Sequence, residues 1–546
     1  MTKTTTDGRK AWPPETVLLL VAGLLALPCN LTLWSRAMAA QPPVGLHGYL
    51  FYLAGLALLT AAFFLVLAIL PLRYPGRILL SVLLPLSALT VYFMHQYGVA
   101  VDDRMVQSVF ETDHAEVWQL VSLKMLFYVV MLGVAPVILL WRTPLVDRPL
   151  LPAVRARLMA MGTASLVIVL VAIFFYQGFA SLFRNHRELR FYLVPNNFIS
   201  GLRHYAFERA SSTGPLSAVG LDAHRVTKAV RHRPVVVVLV IGETARADHF
   251  SLLGYDRLTN PELSKERGLI TFTDVHSCGT ETAVSLPCML SGLGRADFSP
   301  AKAATRENLL DVVRHTGVDV VWIENQSGCK RTCDRVTRIN TPDLQLPEYC
   351  HGGECHDEIL IEALKRQLAS LQRDTLVVLH QMGSHGPDYY LRYPAPAFES
   401  FTPVCRTNLL DQCTHDQIVN AYDNTILYTD HVLAGLIDTL RSDSHVDSAF
   451  YYLSDHGESL GEYGLYLHGA PRLVAPEAQI HIPMLAWLSD GFQRRTGIQR
   501  SCVAARRQDP VTQDNLFHSV LGLLNVRTLE YDSDLDLFRR CAASRG

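Results

Sequence analysis

The 546-residue chain has almost no net charge, formally -2 at pH 7, and no run of lysine or arginine interleaved with aromatics. Nucleic acid is therefore excluded as a natural partner. No internal repeat or low-complexity tract is present, which excludes solenoids and disordered scaffolds. Cysteine is nearly missing from the first third, where Cys29 stands alone, and the first apolar run lacks a small-residue cleavage site close behind a short core. That run reads as an uncleaved span rather than a signal peptide.

Long apolar stretches are what the first third does have. Five of them lie at roughly 16–34, 48–72, 77–97, 119–141 and 158–182, each near the ~20 residues a bilayer requires. Basic residues flank alternate connections: Lys3, Arg9 and Lys10, then Arg73 and Arg77, then Arg142, Arg148, Arg155 and Arg157. The loop from Val101 to Glu116 is acidic instead. By the charge rule the N-terminus is inside and, after five spans, everything beyond about residue 183 is outside. The expected division is a transmembrane domain over 1–182, a connector over 183–233 and a soluble domain over 234–546.

The remaining ten cysteines all follow the spans, in neighbouring pairs: Cys278 and Cys288, Cys329 and Cys333, Cys350 and Cys355, Cys405 and Cys413, Cys502 and Cys541. An even count in an oxidising compartment favours disulfides between neighbours over the competing zinc ribbon at Cys329, Cys333, Cys350 and Cys355. The last pair is the longest in sequence. The soluble part alternates continuous apolar runs, expected as strands at 235–241, 318–323, 375–380, 448–453 and 482–487, with helices at 307–315, 357–371 and 417–440. Such alternation predicts an α/β fold with a mostly parallel sheet flanked by helices.

Chemistry gathers where these strands end. Residues 449–458 read Ala-Phe-Tyr-Tyr-Leu-Ser-Asp-His-Gly-Glu, so Asp455 and His456 stand just past a strand, and the run 235–241 leads through Gly242 to Glu243. Ligands bind at the carboxyl ends of strands in open α/β sheets, so these endings can converge on a metal. The segment Ser-Cys-Gly-Thr-Glu-Thr-Ala-Val-Ser-Leu-Pro-Cys at 277–288 starts a helix with a hydroxyl facing its amides, bracketed by cysteines. Either Thr280 or Thr282 fits a nucleophile there once a metal or base activates it. His380 and His385 in His-Gln-Met-Gly-Ser-His-Gly-Pro, and His468 in Leu-Tyr-Leu-His-Gly, add imidazoles, and the donor set suits one or two zinc ions. Lys330, between Cys329 and Cys333, is a candidate phosphate contact.

The stretches at 240–255, Val-Ile-Gly-Glu-Thr-Ala-Arg-Ala-Asp-His-Phe-Ser-Leu-Leu-Gly-Tyr, at 277–291 and at 454–462 resemble the lipid A phosphoethanolamine transferases. That resemblance covers nearly the whole chain. It implies a five-span membrane domain joined to an alkaline-phosphatase-like catalytic domain, in the bacterial inner membrane with the catalytic domain in the periplasm. It implies Thr282 as nucleophile, Glu243, Thr282, Asp455 and His456 around a catalytic zinc, and His385 and His468 facing the donor phosphate or a second zinc, with His380 and Lys330 nearby. Around Gln107 to Glu116 it implies donor head-group contacts from Thr112 and Glu116, and Ser108 stands where the family pattern has asparagine. The implied activity moves phosphoethanolamine from phosphatidylethanolamine to a lipid A phosphate, which would weaken binding of cationic peptides such as polymyxin. The chain is expected to act as a monomer. Transfer to a lipopolysaccharide core sugar, or a phosphoglycerol transferase of the same fold, is the alternative. A sulfatase is excluded by the lack of a Cys-X-Pro-X-Arg segment.

Overall fold

The computed structural model describes residues 11–542 except 112–116, 119, 213, 227–232 and 352–353. Two compact units emerge from the contacts: residues 1–106 with 121–203, and residues 107–120 with 204–546.

The first unit holds five helices long and apolar enough to cross a membrane: Pro14–Ala40, Gly45–Ala68, Tyr74–Tyr97, Leu123–Arg142 and Leu150–Asn185. Only 6% of the most apolar stretch of the last helix is buried in protein. Leu166, Ile173 and Phe174 lie bare on its surface, a continuous apolar face that water does not tolerate but acyl chains do. The helix is longer than the apolar run that announced it because its ends extend into polar sequence. Part of the expected connector is also helical, over Asn196–Ser211.

The second unit is built on a seven-stranded sheet. Its strands in chain order are β1 (Val235–Gly242), β2 (Ile270–Phe272), β3 (Asp319–Glu324), β4 (Thr337–Asn340), β5 (Thr375–His380), β6 (Asp447–Ser454) and β7 (Met484–Leu488). Their spatial order is β2-β7-β6-β1-β5-β3-β4. The five strands from β6 to β4 run parallel, and β7 pairs antiparallel with both β6 and β2. The mostly parallel expectation therefore holds, with antiparallel pairing confined to one side. Every residue of β1 is buried, alternating Val235, Val237 and Leu239 into one core and Val236, Val238 and Val240 into the other. Each such side chain contributes ~1.5–3 kcal/mol by leaving water, and burial on both faces is why the run reads as continuous rather than alternating.

The helices that matter for the site are α1 (Thr282–Ser291), α2 (Leu309–His315), α3 (Ile359–Ala369), α4 (His415–Ser442) and α5 (Asp514–Leu523). Reciprocal side-chain caps start two of them, Asn308 with Asp311 on α2 and Thr414 with Gln417 on α4. All five neighbouring cysteine pairs form disulfides, Cys502 with Cys541 included. The four thiols of the zinc-ribbon alternative are thus spent on Cys329–Cys333 and Cys350–Cys355.

Candidate metal centre and nucleophile

Parallel register sets the site. Gly242 pairs with Ser454, Ile241 with His380, and Glu324 with His380, so β1, β6, β5 and β3 stop along one edge. Glu243 and Asp455 are the first residues beyond their strands, and both are fully buried. Thr282 begins α1 beside them.

The donor atoms converge. The Thr282 hydroxyl donates to Glu243 Oε2 at 3.0 Å and lies 3.4 Å from His456 Nε2. His456 Nε2 is 3.4 Å from Glu243 Oε1 and 3.3 Å from Asp455 Oδ2. The Nδ1–H of His456 donates to the Gly457 carbonyl at 2.9 Å. That bond fixes the tautomer and leaves Nε2 with a lone pair aimed at the carboxylates. Burial holds the His456 pKa below its ordinary value, so the ring is neutral, the form that binds metal. Asp455 Oδ2 accepts no hydrogen bond among the described residues. Two sealed carboxylates facing one imidazole lone pair and one hydroxyl repel each other until a cation sits between them. Oxygen and nitrogen donors of this kind fit zinc.

The two candidate threonines part company. Thr280 turns away and donates to the Ala470 carbonyl at 2.8 Å, whereas Thr282 faces the carboxylates. Thr282 also sits at the first position of α1, where backbone N–H groups lack partners within the helix and favour an anion. The Cys278–Cys288 disulfide ties the preceding loop to this helix.

Histidines surround one side. His468 lies 4.5 Å from His456 and 5.6 Å from His385, measured between ring centroids. Burial pulls the His468 pKa down, but the Glu458 carboxylate at 2.8 Å from Nδ1 more than offsets it and the net shift is upward. His385 goes the other way, well below its ordinary value, through burial first and then the neighbouring His468, Arg392 and Lys330. His380 is fully buried. Its Nδ1 meets Glu324 Oε1 at 2.8 Å, and Glu324 also accepts from the Trp322 indole and the Gln326 amide. Among the described residues, its hydrogen-bonded link to the site runs through Glu324 and Gln326. Ser108 donates to Glu281 Oε2 at 2.9 Å, next to Thr282. Thr112 and Glu116 lie outside the described residues.

Several essential supports were not anticipated. Gln326 Nε2 donates to Glu243 Oε2 at 2.6 Å. Tyr422 OH donates to the Thr244 carbonyl and accepts from Arg246 N–H, holding Thr244 at a φ of 53°. Gly383, at a φ of 55°, lets the β5 loop approach so closely that a Cβ would lie 2.6 Å from the Glu243 carbonyl oxygen. Asp357 secures that loop by accepting from the Met382 and Gly383 amides. Gln513 accepts from Cys278 N–H and donates to the Ser454 and Asp455 carbonyls, bridging the loop before Thr282 to the end of β6. Neutral amides and a tyrosine carry no local pattern; only the position of Gln326 after a strand and of Gln513 at the start of a helix could have hinted at them, and Tyr422, inside α4, gives no such hint.

Comparison with known proteins places this geometry. Residues 59–210 match the phosphoethanolamine transferase EptA/EptB family model, and residues 236–526 match the sulfatase family model. The chain is similar to phosphoethanolamine transferase EptA of Salmonella typhimurium, 39% identical over 98% of this chain and 97% of that one. It is also similar to phosphatidylethanolamine transferase Mcr-2 of Escherichia coli, 38% identical over 87% and 90%. Among solved structures it superposes on the integral membrane lipooligosaccharide phosphoethanolamine transferase A of Neisseria meningitidis with a TM-score of 0.94, at 34% identity, over 98% of this chain and all of that one.

Proposed function

The chain belongs to the phosphoethanolamine transferase family, and on that premise we propose that it transfers phosphoethanolamine from phosphatidylethanolamine to a lipid A phosphate through a covalent intermediate on Thr282. The observation that carries the reading is the Thr282 hydroxyl, held at 3.0 Å from Glu243 and 3.4 Å from His456 at the start of a helix. Two relatives lend the substrates by name, one a phosphatidylethanolamine transferase and the other a lipooligosaccharide phosphoethanolamine transferase.

Zinc held by Glu243, Thr282, Asp455 and His456 would supply Lewis-acid chemistry, lowering the hydroxyl pKa and polarising the phosphoryl oxygen. Thr282 passes its proton to the Glu243 oxygen it donates to, which holds it for return in the second half, and Oγ1 attacks phosphorus; the bond from phosphorus to the glycerol oxygen breaks, and diacylglycerol leaves after taking a proton. In this reading His468, whose charged form Glu458 favours, gives that proton. In the second half an oxygen of the lipid A phosphate attacks the same phosphorus from the opposite side. The bond to Thr282 breaks, and the threonine regains its proton. His385, neutral because it is buried among cations, contacts the phosphoryl group without repelling the ammonium end of the donor. Lys330 balances phosphate charge. His380 acts from beneath by fixing Glu324, while Thr112 and Glu116 are assigned to the donor head group. With residues 1–182 in the inner membrane and 234–546 in the periplasm, joined through 183–233, lipid donor and acceptor share one surface. Added ammonium groups would lower the anionic charge that polymyxin-type peptides use.

The test is a mass spectrum of lipid A from Gram-negative cells expressing the chain or its Thr282→Ala variant. Phosphoethanolamine on lipid A in the first alone is expected; addition by the alanine variant removes Thr282 from the mechanism, and addition to core sugar instead redirects the acceptor.

A further inference from the structure

An open cleft runs along the side of α1. Its floor is Ala283, Pro287 and Ser291, spaced by four and therefore on one helix face. Its walls carry Arg209 from the Asn196–Ser211 helix, and Lys330, Arg331 and Arg335. The cleft continues past Ala304 into a second lobe that holds Arg209, Arg331 and Arg335 and no residue of α1. Not all of that charge is available. Arg335 is engaged by both oxygens of Asp311, Asp334 stands 3.9 Å from Arg331, and Glu208 lines the first lobe.

Arg209 and Arg331 nevertheless present their guanidinium groups to solvent, with the Arg331 side chain 62% exposed. Arg331 and Lys330 both adopt left-handed backbone, with φ of 68° and 47°, inside the turn closed by the Cys329–Cys333 disulfide. Non-glycine residues adopt that region at a steric cost. The turn is held by the Thr332 hydroxyl on Cys329 O and by Asn308 on Thr332 O, so its cations are aimed by construction. Ala283 of the cleft directly follows Thr282 on α1, which joins the cleft to the reaction centre.

The floor from Ala283 to Ser291 spans about 12 Å of helix. One phosphate cannot occupy both Thr282 and the cationic continuation. The donor carries a single phosphate, already placed at Thr282, and an ammonium that cations repel. A lipid with two separated phosphates matches both ends.

We propose that this cleft is the acceptor-selecting subsite: Arg209 and Arg331 bind the phosphate of a bisphosphorylated glycolipid that does not itself react. The inference rests on the acceptor being phosphorylated, as argued above.

The experiment measures equilibrium binding of bisphosphorylated and monophosphorylated lipid A to the full chain in nanodiscs, for wild type and Arg209→Ala/Arg331→Ala, with transfer from fluorescent phosphatidylethanolamine followed in parallel. Wild type is expected to prefer the bisphosphorylated lipid, and the double variant to lose about five- to tenfold in affinity for it at low salt. Its affinity for the monophosphorylated lipid and its rate of donor cleavage should stay within about twofold. Equal losses for both lipids, no loss, or slowed donor cleavage would each overturn the assignment. Charge-selective binding without any transfer would instead refute the proposed reaction and leave the subsite standing.

Discussion

Replacing Gln513 by alanine probes how the site is assembled. This side chain is fully buried and makes three hydrogen bonds to backbone: it accepts from Cys278 N–H at 2.7 Å and donates to the carbonyls of Ser454 at 3.0 Å and Asp455 at 2.7 Å. Alanine abandons one buried donor and two buried acceptors. At about 1 kcal/mol for each, and up to about 3 where water cannot enter, the change destabilises the catalytic unit by roughly 3 kcal/mol or more. For a unit of roughly 350 residues that lowers Tm by several degrees. The same cut uncouples the loop that carries Thr282 from the strand that carries Asp455, so transfer should fall more than stability alone explains. Gln513→Glu keeps an acceptor for Cys278 N–H but sets a carboxylate against two carbonyl oxygens, and should be at least as damaging. Scanning calorimetry of the purified chain with transfer to lipid A measured alongside decides it. Unchanged Tm and unchanged transfer in Gln513→Ala would refute the idea that this amide joins the two halves of the site.

Asp455→Asn retains the oxygen that accepts from Thr244 N–H and His456 N–H but loses the second anionic oxygen; zinc content by mass spectrometry should drop at least tenfold with the fold intact, and stoichiometric zinc would discard this ligand set. Gly383→Ala adds a Cβ 2.6 Å from Glu243 O at a position with a φ of 55°, so activity should be lost together with metal, and a variant with normal turnover would show that the loop has room to move. Burial pushes the Asp430 carboxyl up to about 7 against the pull of the Glu262 and Leu263 amides. Because the folded pKa is the higher one, its contribution to stability is complete below about 4 and is lost as pH rises through 7, at no more than ~1.4 kcal/mol per pH unit. Chemical denaturation of wild type and Asp430→Asn across that window should show a shallower slope in the variant, and parallel curves would exclude Asp430 as the source.

Much of the architecture is visible along the chain because local physics dictates it. Apolar runs near the bilayer length announce the five helices, and a β-branched run ending at Gly242 and an aromatic-rich run ending at Ser454 announce the central strands. The strands at 270–272 and 337–340 escape such reading. The first has three residues, and the second is half-exposed at the sheet edge, so neither needs a continuous apolar signature.

By itself, then, the order of residues determines which groups can meet a metal: Glu243, Asp455 and His456 each follow a strand or a strand-ending turn, and parallel strands bring such ends to one edge. It favours disulfides between near neighbours as well, because short loops close at little entropic cost, whereas the Cys502–Cys541 link, 39 residues apart, is closed by the fold. The choice between Thr280 and Thr282 is tertiary, made by the Ala470 carbonyl that engages one and the Glu243 carboxylate that engages the other. So are the burial of His380 behind Glu324, the bridge made by Gln513, and the gathering of Arg209 with Arg331 across more than a hundred residues. Each of these depends on atoms distant in sequence meeting within a few ångströms, and periodicity along a chain holds no record of such meetings.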